Sequence, residues 1–444
     1  MSAFHRNTSA PKVGTFTLWR RKRRSAATFR FALANFLVIA SLAGCASSDV
    51  NPRATPSAPA GTPNPSQTAT PTPSPTPAPT FVATGSMNVA RMDATATLLR
   101  NGKVLIAGGS PETGDLAGNT VLASAEIYDP AVGKFTITGS MRTARSNAAA
   151  ARLPDGRVLI AGGYGCRTTK NCSPNDSTSG LDCIASAELY DPGTGKFTAT
   201  GSMSAPRCNA TATPLPDGRV LVLNGGSEVA ELYDPDTGRF SRDGSLRGAY
   251  QGSSGASMGG AGTASATLLS NGKVLVLGPT GGGPTAELFD PATGKSAWLS
   301  LRLPPAVAPG PGYFGSYESA TTLKDGRVLL SILDFLIVYD PNAGTFASSG
   351  SISDPGTWIV EPPTLLADGR LLFAGGFGET AAMEESANSA AGLYDPAQGY
   401  RAIAPMPQAR AGNTATLLTD GTVLIAGGTS DLGSALASAV LFKP

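Results

Sequence analysis

Four arginines stand at one fixed place in a recurring pattern. Arg91, Arg145, Arg207 and Arg410 each lie ten residues before an Asn-Gly or Asp-Gly dipeptide. Guanidinium groups set out this regularly suit one of two tasks. An arc of them can grip an anionic ligand such as a uronate or sialate through bidentate hydrogen bonds. Alternatively each is buried against a carboxylate, because a buried charge needs a partner. A matching set of acids exists in Glu126, Glu188, Glu231 and Glu287, each two residues before a Tyr or Phe.

Cysteine and aromatic residues supply two further kinds of chemistry. Cys166, Cys172, Cys183 and Cys208 are an even set that predicts two disulfides in an oxidising compartment, with three connectivities open. Zinc is the rival reading, disfavoured because no Cys-x-x-Cys pair and no nearby histidine accompany them. The only histidine of the chain is His5, near the N-terminus. Tyr250, Tyr313, Phe314, Tyr317 and Trp358 fall in long irregular stretches, where aromatic rings either stack on flat ligands such as sugars or hold loops down.

These residues must be positioned by a repeating frame. The Asn-Gly or Asp-Gly dipeptide occurs seven times, at 101, 155, 217, 271, 325, 368 and 420, each between two apolar runs. The pattern predicts seven β-hairpins with two-residue type I′ turns, whose positive φ angles these residues tolerate. A third run follows, ending in Tyr-Asp-Pro or Phe-Asp-Pro, then a turn with Gly-Lys or Gly-Arg and a fourth run such as Phe135 to Met141. Four strands in about 50 residues describe the blade of a β-propeller. The seventh repeat stops after its third run, and an orphan fourth run, Phe81 to Met87, precedes the first. Pairing the two would close a seven-bladed ring and remove its open edges.

Within this frame the glutamates match the arginines in two ways. An offset of one repeat gives every arginine a glutamate, while pairing within a repeat matches three of the four. The reading adopted is structural ion pairs between neighbouring blades.

Before the repeats come two other segments. Residues 1–44 contain eight basic and no acidic residues, an apolar stretch from Phe31 to Ala43, and the ending Leu42-Ala43-Gly44-Cys45. That is the layout of a lipoprotein signal, with Cys45 lipidated. Residues 45–80 are rich in Pro, Thr and Ser and predict a disordered, extended tether, up to roughly 100 Å at about 3.1 Å per residue. The domain itself spans 81–444. Of 34 basic and 32 acidic residues, 26 basic and all 32 acidic ones lie beyond the leader. A net-acidic body argues against a nucleic-acid partner.

The Ala-Gly-Gly ends of second strands (Ala107-Gly108-Gly109, Ala161-Gly162-Gly163, Ala374-Gly375-Gly376, Ala426-Gly427-Gly428) and the Tyr-Asp-Pro turns resemble the kelch-repeat propeller family over Phe81 to Pro444. The resemblance implies an all-β seven-bladed propeller, like the central domain of galactose-oxidase-like proteins but without copper ligands. Repeats 4 and 5 depart from the pattern, with Leu277-Gly278-Pro279 and Leu330-Ser331-Ile332 in place of the double glycine. Kelch-like propellers include oxidases, mutarotases and binding proteins, so the resemblance specifies fold rather than activity. The function expected is a membrane-anchored extracytoplasmic module, monomeric and without cofactor or metal, that recognises a glycan or an envelope protein through its loop-bearing face. A metal-free carbohydrate-active enzyme of the mutarotase or epimerase kind and a purely structural envelope protein are the alternatives.

Overall fold

A computed structural model describes residues 78–111, 120–165, 182–225, 227–247, 265–280, 283–301, 318–332, 335–352, 362–379, 385–430 and 434–444. The chain divides into the units Met1–Pro73 and Ser74–Pro444, and every described residue belongs to the second. Cys45, Cys166, Cys172, Tyr250, Tyr313, Phe314, Tyr317 and Trp358 lie outside the described residues.

The described residues contain strands and no helix. They form seven four-stranded antiparallel sheets and two smaller ones. In the first repeat Thr95–Leu98, Val104–Ala107, Ala125–Asp129 and Lys134–Ile137 lie side by side in chain order. Five more repeats follow the same plan. The last sheet takes Ala411–Leu417, Val423–Thr429 and Ala439–Lys443 from the C-terminus and its outer strand, Thr80–Ala83, from the other end of the domain. Phe81 pairs with Phe442 across that junction, their ring centres 5.1 Å apart.

The second strands open on an unbroken apolar run of at least three residues because each serves two cores; Asn224, Ser331 and Thr429 are the buried polar residues near their ends. Successive side chains of a strand point to opposite faces. Val104 and Ile106 pack with Leu424 and Ala426 of repeat 7. Leu105 and Ala107 pack with Val158 and Ile160 of repeat 2. Seven such clusters occur, each between two sheets: repeats 1 and 2, 2 and 3, 3 and 4, 4 and 5, 5 and 6, 6 and 7, and 7 and 1. A half-exposed sheet would have required alternation, and the sequence has none here.

Hydroxyl groups add directional links between the same neighbours. Tyr128 bonds Thr84 at 2.7 Å, Tyr190 bonds Thr138 at 2.9 Å and Tyr233 bonds Thr200 at 2.8 Å, each reaching from a third strand to the outer strand of the preceding repeat. On the first strands, Thr213 donates to the Ala266 carbonyl, Thr267 to Ala320 and Thr321 to Pro363. Both sets occupy equivalent positions from repeat to repeat.

The hairpin turns differ from the expected type. Gly102 has φ +78°, but Asn101 is not among the left-handed residues, and the same holds at the other six dipeptides. Gly102 N–H donates to Leu99 O, and Leu99 N–H to Lys103 O. This is a three-residue loop, a type I turn followed by a left-handed glycine. The Asn or Asp is there for its side-chain oxygen: Asn101 Oδ1 accepts the Lys103 N–H at 3.1 Å, as Asp155 Oδ1 accepts that of Arg157 at 2.9 Å. Side-chain capping of a turn selects the same residue types as positive φ does.

Repeats 4 and 5 keep the four-stranded plan. Where the double glycine is missing, the second and third strands stay paired out to Thr280↔Gly283 and Ile332↔Phe335.

Because Thr80–Ala83 covers the edge of Ala439–Lys443, deletion of residues 1–83 should bare that edge and Phe442. Compared with a chain beginning at residue 78, the deletion is expected to lower the melting temperature by more than ~5 °C and promote aggregation. Equal melting of the two chains in a thermal scan would contradict the pairing.

Candidate functional site

The four arginines are not available to a ligand. Arg91, Arg145, Arg207 and Arg410 are at most 1% exposed, and their terminal nitrogens are taken up by the protein. Arg91 Nη1 donates to Gly108 O at 2.7 Å and Ser124 O at 3.0 Å. Its Nη2 donates to Ser124 Oγ and to Glu126 Oε1 at 3.0 Å. Arg145 repeats the set on Gly162, Ser186 and Glu188, and Arg207 makes a similar one on Asn224, Val229 and Glu231.

The ion pairs therefore form within a repeat: Arg91 with Glu126, Arg145 with Glu188, and Arg207 with Glu231. This corrects the expected one-repeat offset. The glutamate sits where two N–H groups of its own repeat converge: Glu126 accepts from the Asn88 and Val89 amides, and Glu188 from those of Arg142 and Thr143. Burial pushes the Glu126 carboxyl up, but the bonds from Asn88, Val89 and Arg91 outweigh it and hold the group below the ordinary carboxylate range. Glu287 accepts the equivalent Arg247 amide at 2.6 Å.

Arg410 has no such carboxylate. Val440 occupies the glutamate position and Pro407 removes one of the N–H groups that would have greeted it. The guanidinium bonds Gly427 O, Ser438 O and Ser438 Oγ instead, and burial pulls its pKa down to about 10.

An offset of one repeat does exist, but between arginine and glycine. The Arg145 carbonyl accepts the Gly109 N–H at 2.9 Å, Arg207 that of Gly163, Arg410 that of Gly376 and Arg91 that of Gly428. A β-carbon on Gly108 would lie 2.3 Å from the Arg145 carbonyl oxygen, and one on Gly427 2.3 Å from that of Arg91. Ala-Gly-Gly ends occur in repeats 1, 2, 6 and 7, repeat 3 having Asn224-Gly225 at the two glycine positions, and arginines occur in repeats 2, 3, 7 and 1. Where the glycines are absent, the next repeat has Ala261, Gly315 or Trp358 at the arginine position.

Two residues beyond each arginine the chain turns left-handed. Asp93 has φ +53°, Asn147 +49°, Asn209 +55° and Gly412 +65°. Asp, Asn and Gly are the residues that tolerate this conformation. A backbone ladder joins them across repeats 7, 1, 2 and 3: Asp93 N–H donates to Gly412 O, Asn147 N–H to Asp93 O and Asn209 N–H to Asn147 O, at 3.0 to 3.1 Å. All four stay partly exposed. The spacing Arg-x-Asp, Arg-x-Asn, Arg-x-Asn, Arg-x-Gly stands in the sequence, but nothing local marks its third residue as left-handed.

The arc carries one carboxyl, two amides and a phenol. Burial raises the Asp93 carboxyl to about 6, against a weaker opposing hydrogen bond from the Asn147 side chain, and no cation contributes. Asn209 Nδ2 donates to Tyr164 Oη at 3.2 Å. Tyr164 is close enough for the Asp93 charge to raise its pKa further, after burial has done most of the work. Cys208, beside Asn209, is disulfide-bonded to Cys183, whose strand Asp182–Cys183 pairs with Tyr164–Gly165. This crosslink fixes both partners of the Asn209–Tyr164 bond; closing a loop of this length contributes about 3 kcal/mol.

No protein-family model and no curated protein matches the sequence. Among solved structures, a novel fungal alcohol oxidase of the AA5 family, in complex with copper, aligns with TM-score 0.60 and 16% identity over 83% of this chain and 77% of that one. The structure of YjhT aligns with TM-score 0.48 and 14% identity over 80% of this chain and 95% of that one. The first likeness, with the sheets described above, places the domain among all-β, β-propeller-like folds. The likeness is one of fold; the only histidine of this chain is His5, and among the described residues no three His, Cys, Asp or Glu side chains gather as a metal set.

Two predictions follow from the site's charges. Replacing Glu126 with Leu strands the buried Arg91 charge and should cost 3–5 kcal/mol or thereabouts in chemical denaturation; a change below about 1 kcal/mol would contradict the pairing. The Asp93 carboxyl, raised on folding, adds stability that is complete below its unfolded pKa near 4 and is lost as pH rises through about 6. Asp93→Asn should therefore be the more stable protein at pH 8, by on the order of 1 kcal/mol, and show no such advantage at pH 4. Parallel stability curves for the two proteins over that range would refute it.

Proposed function

We propose that the seven sheets are the blades of a single closed, kelch-type seven-bladed β-propeller, held outside the cytoplasm by a lipid on Cys45 and an extended tether. Support for closure comes from the cyclic order of the seven apolar clusters and from the pairing of Thr80–Ala83 with Ala439–Lys443. The left-handed ladder links repeats 7, 1, 2 and 3, and the threonine bonds link repeats 3, 4, 5 and 6.

The function that best accounts for this geometry is glycan binding at the rim that carries Asp93, Asn147 and Asn209. The arc itself is the observation that carries this reading. Four neighbouring residues hold a restricted backbone conformation, and three of them, Asp93, Asn147 and Asn209, carry polar side chains at partly exposed positions beside the buried arginines. Fixed amides and carboxyls on a rigid scaffold are how hydroxyl-rich ligands are oriented. A second reading, metal-free carbohydrate catalysis, draws on the Asp93 pKa of about 6, which suits a group that both takes and gives a proton near neutrality.

Both readings are tested by screening the mature chain against neutral, amino and acidic glycans, with Asn209→Ala and Asp93→Asn beside it. Binding is expected to weaken at least about tenfold in Asn209→Ala, on the scale of one lost hydrogen bond to a buried polar group. Wild-type protein that binds no glycan, or binds one equally well in both variants, would end the glycan reading. Accelerated anomer exchange that Asp93→Asn abolishes while keeping affinity would select the enzyme.

A further inference from the structure

Neighbouring sheets are not joined equally well. At four junctions a hydroxyl of the outer strand bonds a tyrosine of the next repeat: Thr84 with Tyr128, Thr138 with Tyr190, Thr200 with Tyr233 and Ser349 with Tyr394, at 2.5 to 2.9 Å. Between repeats 3 and 4 both partners are exchanged. Asp243, three residues after Phe240 as Thr138 is after Phe135, takes the place of the hydroxyl, and Phe289 takes that of the tyrosine. Phe289 is fully buried and has nothing to donate, and Asp243 Oδ2 is buried without a partner.

Two more residues at this junction are left unanswered. Thr213 donates to Ala266 O of repeat 4, so Thr211, on the same face of the strand, also looks towards repeat 4, and its Oγ1 is buried and unpaired. Asn224 stands at the first glycine position of its repeat, with φ +64°. A β-carbon at the equivalent Gly108 or Gly162 would meet the arginine carbonyl of the next repeat. Repeat 4 has Ala261 in place of that arginine, and the Asn224 amide, 1% exposed, bonds through neither Nδ2 nor Oδ1. Four buried polar atoms are thus unsatisfied between these two sheets, each having lost water without return. Between repeats 4 and 5, where Gly315 and Leu299 stand at the arginine and hydroxyl positions, the corresponding loss among the described residues is Ser265 Oγ.

Of these groups Asp243 is the one that can gain a charge. Arg219, whose field reaches it, is bonded to Asp217 at 2.6 Å, and Asp217 and Asp290 both oppose a further negative charge. Lys295 lies opposite Asp290 in the register of its own sheet, and Arg242, the chain neighbour of Asp243, is exposed. The turn of repeat 4 packs directly on the next residue, since a β-carbon on Gly244 would run into Gly294 O. Burial holds the Asp243 carboxyl above the ordinary carboxylate range, against a weaker pull from Arg219.

We propose that the junction between repeats 3 and 4 is the seam at which these sheets part first, and that ionisation of Asp243 loosens it. Leu221, Leu223, Val274, Val276 and Phe289 hold the seam by apolar contact, which a neutral carboxyl at its edge tolerates and a carboxylate does not. A group raised on folding adds stability that is complete below its unfolded pKa, near 4, and is lost as pH rises through the raised value. The seam is therefore tightest in acid and loosens towards neutrality.

Hydrogen exchange of the mature chain, followed by mass spectrometry at pH 4, 6 and 8 and corrected for intrinsic exchange, tests this. The strands to compare are Arg239–Ser245 and Gly283–Asp290 at the seam, with Lys134–Ile137 and Ala187–Asp191 as a tyrosine-linked control. Protection at the seam is expected to fall at least about fivefold from pH 4 to pH 8, the scale of one hydrogen bond, and to end below that of the control. Asp243→Asn should abolish the fall, whereas Asp93→Asn, at another junction, should keep it. Asp243→Thr combined with Phe289→Tyr, which copies the junction of repeats 2 and 3, should bring protection at pH 8 to the control level. Seam protection that is unchanged between pH 4 and pH 8, or equal to the control at pH 8, would overturn the proposal. So would a fall that survives Asp243→Asn or vanishes in Asp93→Asn.

Discussion

The contact between a buried arginine and the double glycine of the preceding repeat is the constraint on which the rest of the domain depends. It joins two sheets through one residue. The arginine carbonyl lies so close to the glycine that no side chain fits there, and its guanidinium reaches into its own repeat to bond the equivalent glycine carbonyl and a serine, or for Arg207 the carbonyls of Asn224 and Val229, and in three cases a glutamate. Burying a guanidinium in this way costs several kcal/mol unless all its directions are answered. The local chain answers the two terminal nitrogens, with two carbonyls and a hydroxyl in repeats 1, 2 and 7 and a carboxylate added in repeats 1 and 2, while the Nε of Arg91, Arg207 and Arg410 is buried without a partner among the described residues.

That lock explains which residues vary together. Glycine pairs and following arginines are present or absent as a unit, because each is shaped to the other. The glutamate follows a different partner, the pair of N–H groups just after the buried methionine or leucine that ends the outer strand. In repeat 7 proline stands at one of those positions, and valine stands where the glutamate would be. A carboxylate there would have had one fewer donor, and an arginine with a serine and two carbonyls is a workable substitute.

The lock also builds the candidate site. Holding the arginine at the junction of two sheets forces the chain to reverse within two residues, and the reversal is made through left-handed Asp, Asn or Gly. Those residues then bond backbone to backbone from one repeat to the next, so a structural need in each repeat yields a continuous polar arc over four of them. The disulfide from Cys183 to Cys208 secures one end of that arc beside Asn209 and Tyr164. Rigidity of this kind lowers the entropy lost when a ligand is held.

By itself the sequence determined the repeat, the strands and the sheet plan. Their signals are local: an apolar run buried on both faces, a turn dipeptide with a capping side chain, a tyrosine before Asp-Pro. It also held the Arg-x-Asp and Arg-x-Asn spacings, although nothing local says that the residue after next is left-handed. The partners were decided by tertiary structure alone. Whether Arg145 meets Glu188 or Glu231 depends on which segments converge, and both choices fit the spacing; the structure gives it Glu188, and gives its carbonyl to repeat 1. Cys183 could have joined any of three cysteines until its strand was laid beside Tyr164, within reach of Cys208. The arc exists only because separate repeats bring Gly412, Asp93, Asn147 and Asn209 into one ladder, a proximity created by packing across as many as 319 residues of chain.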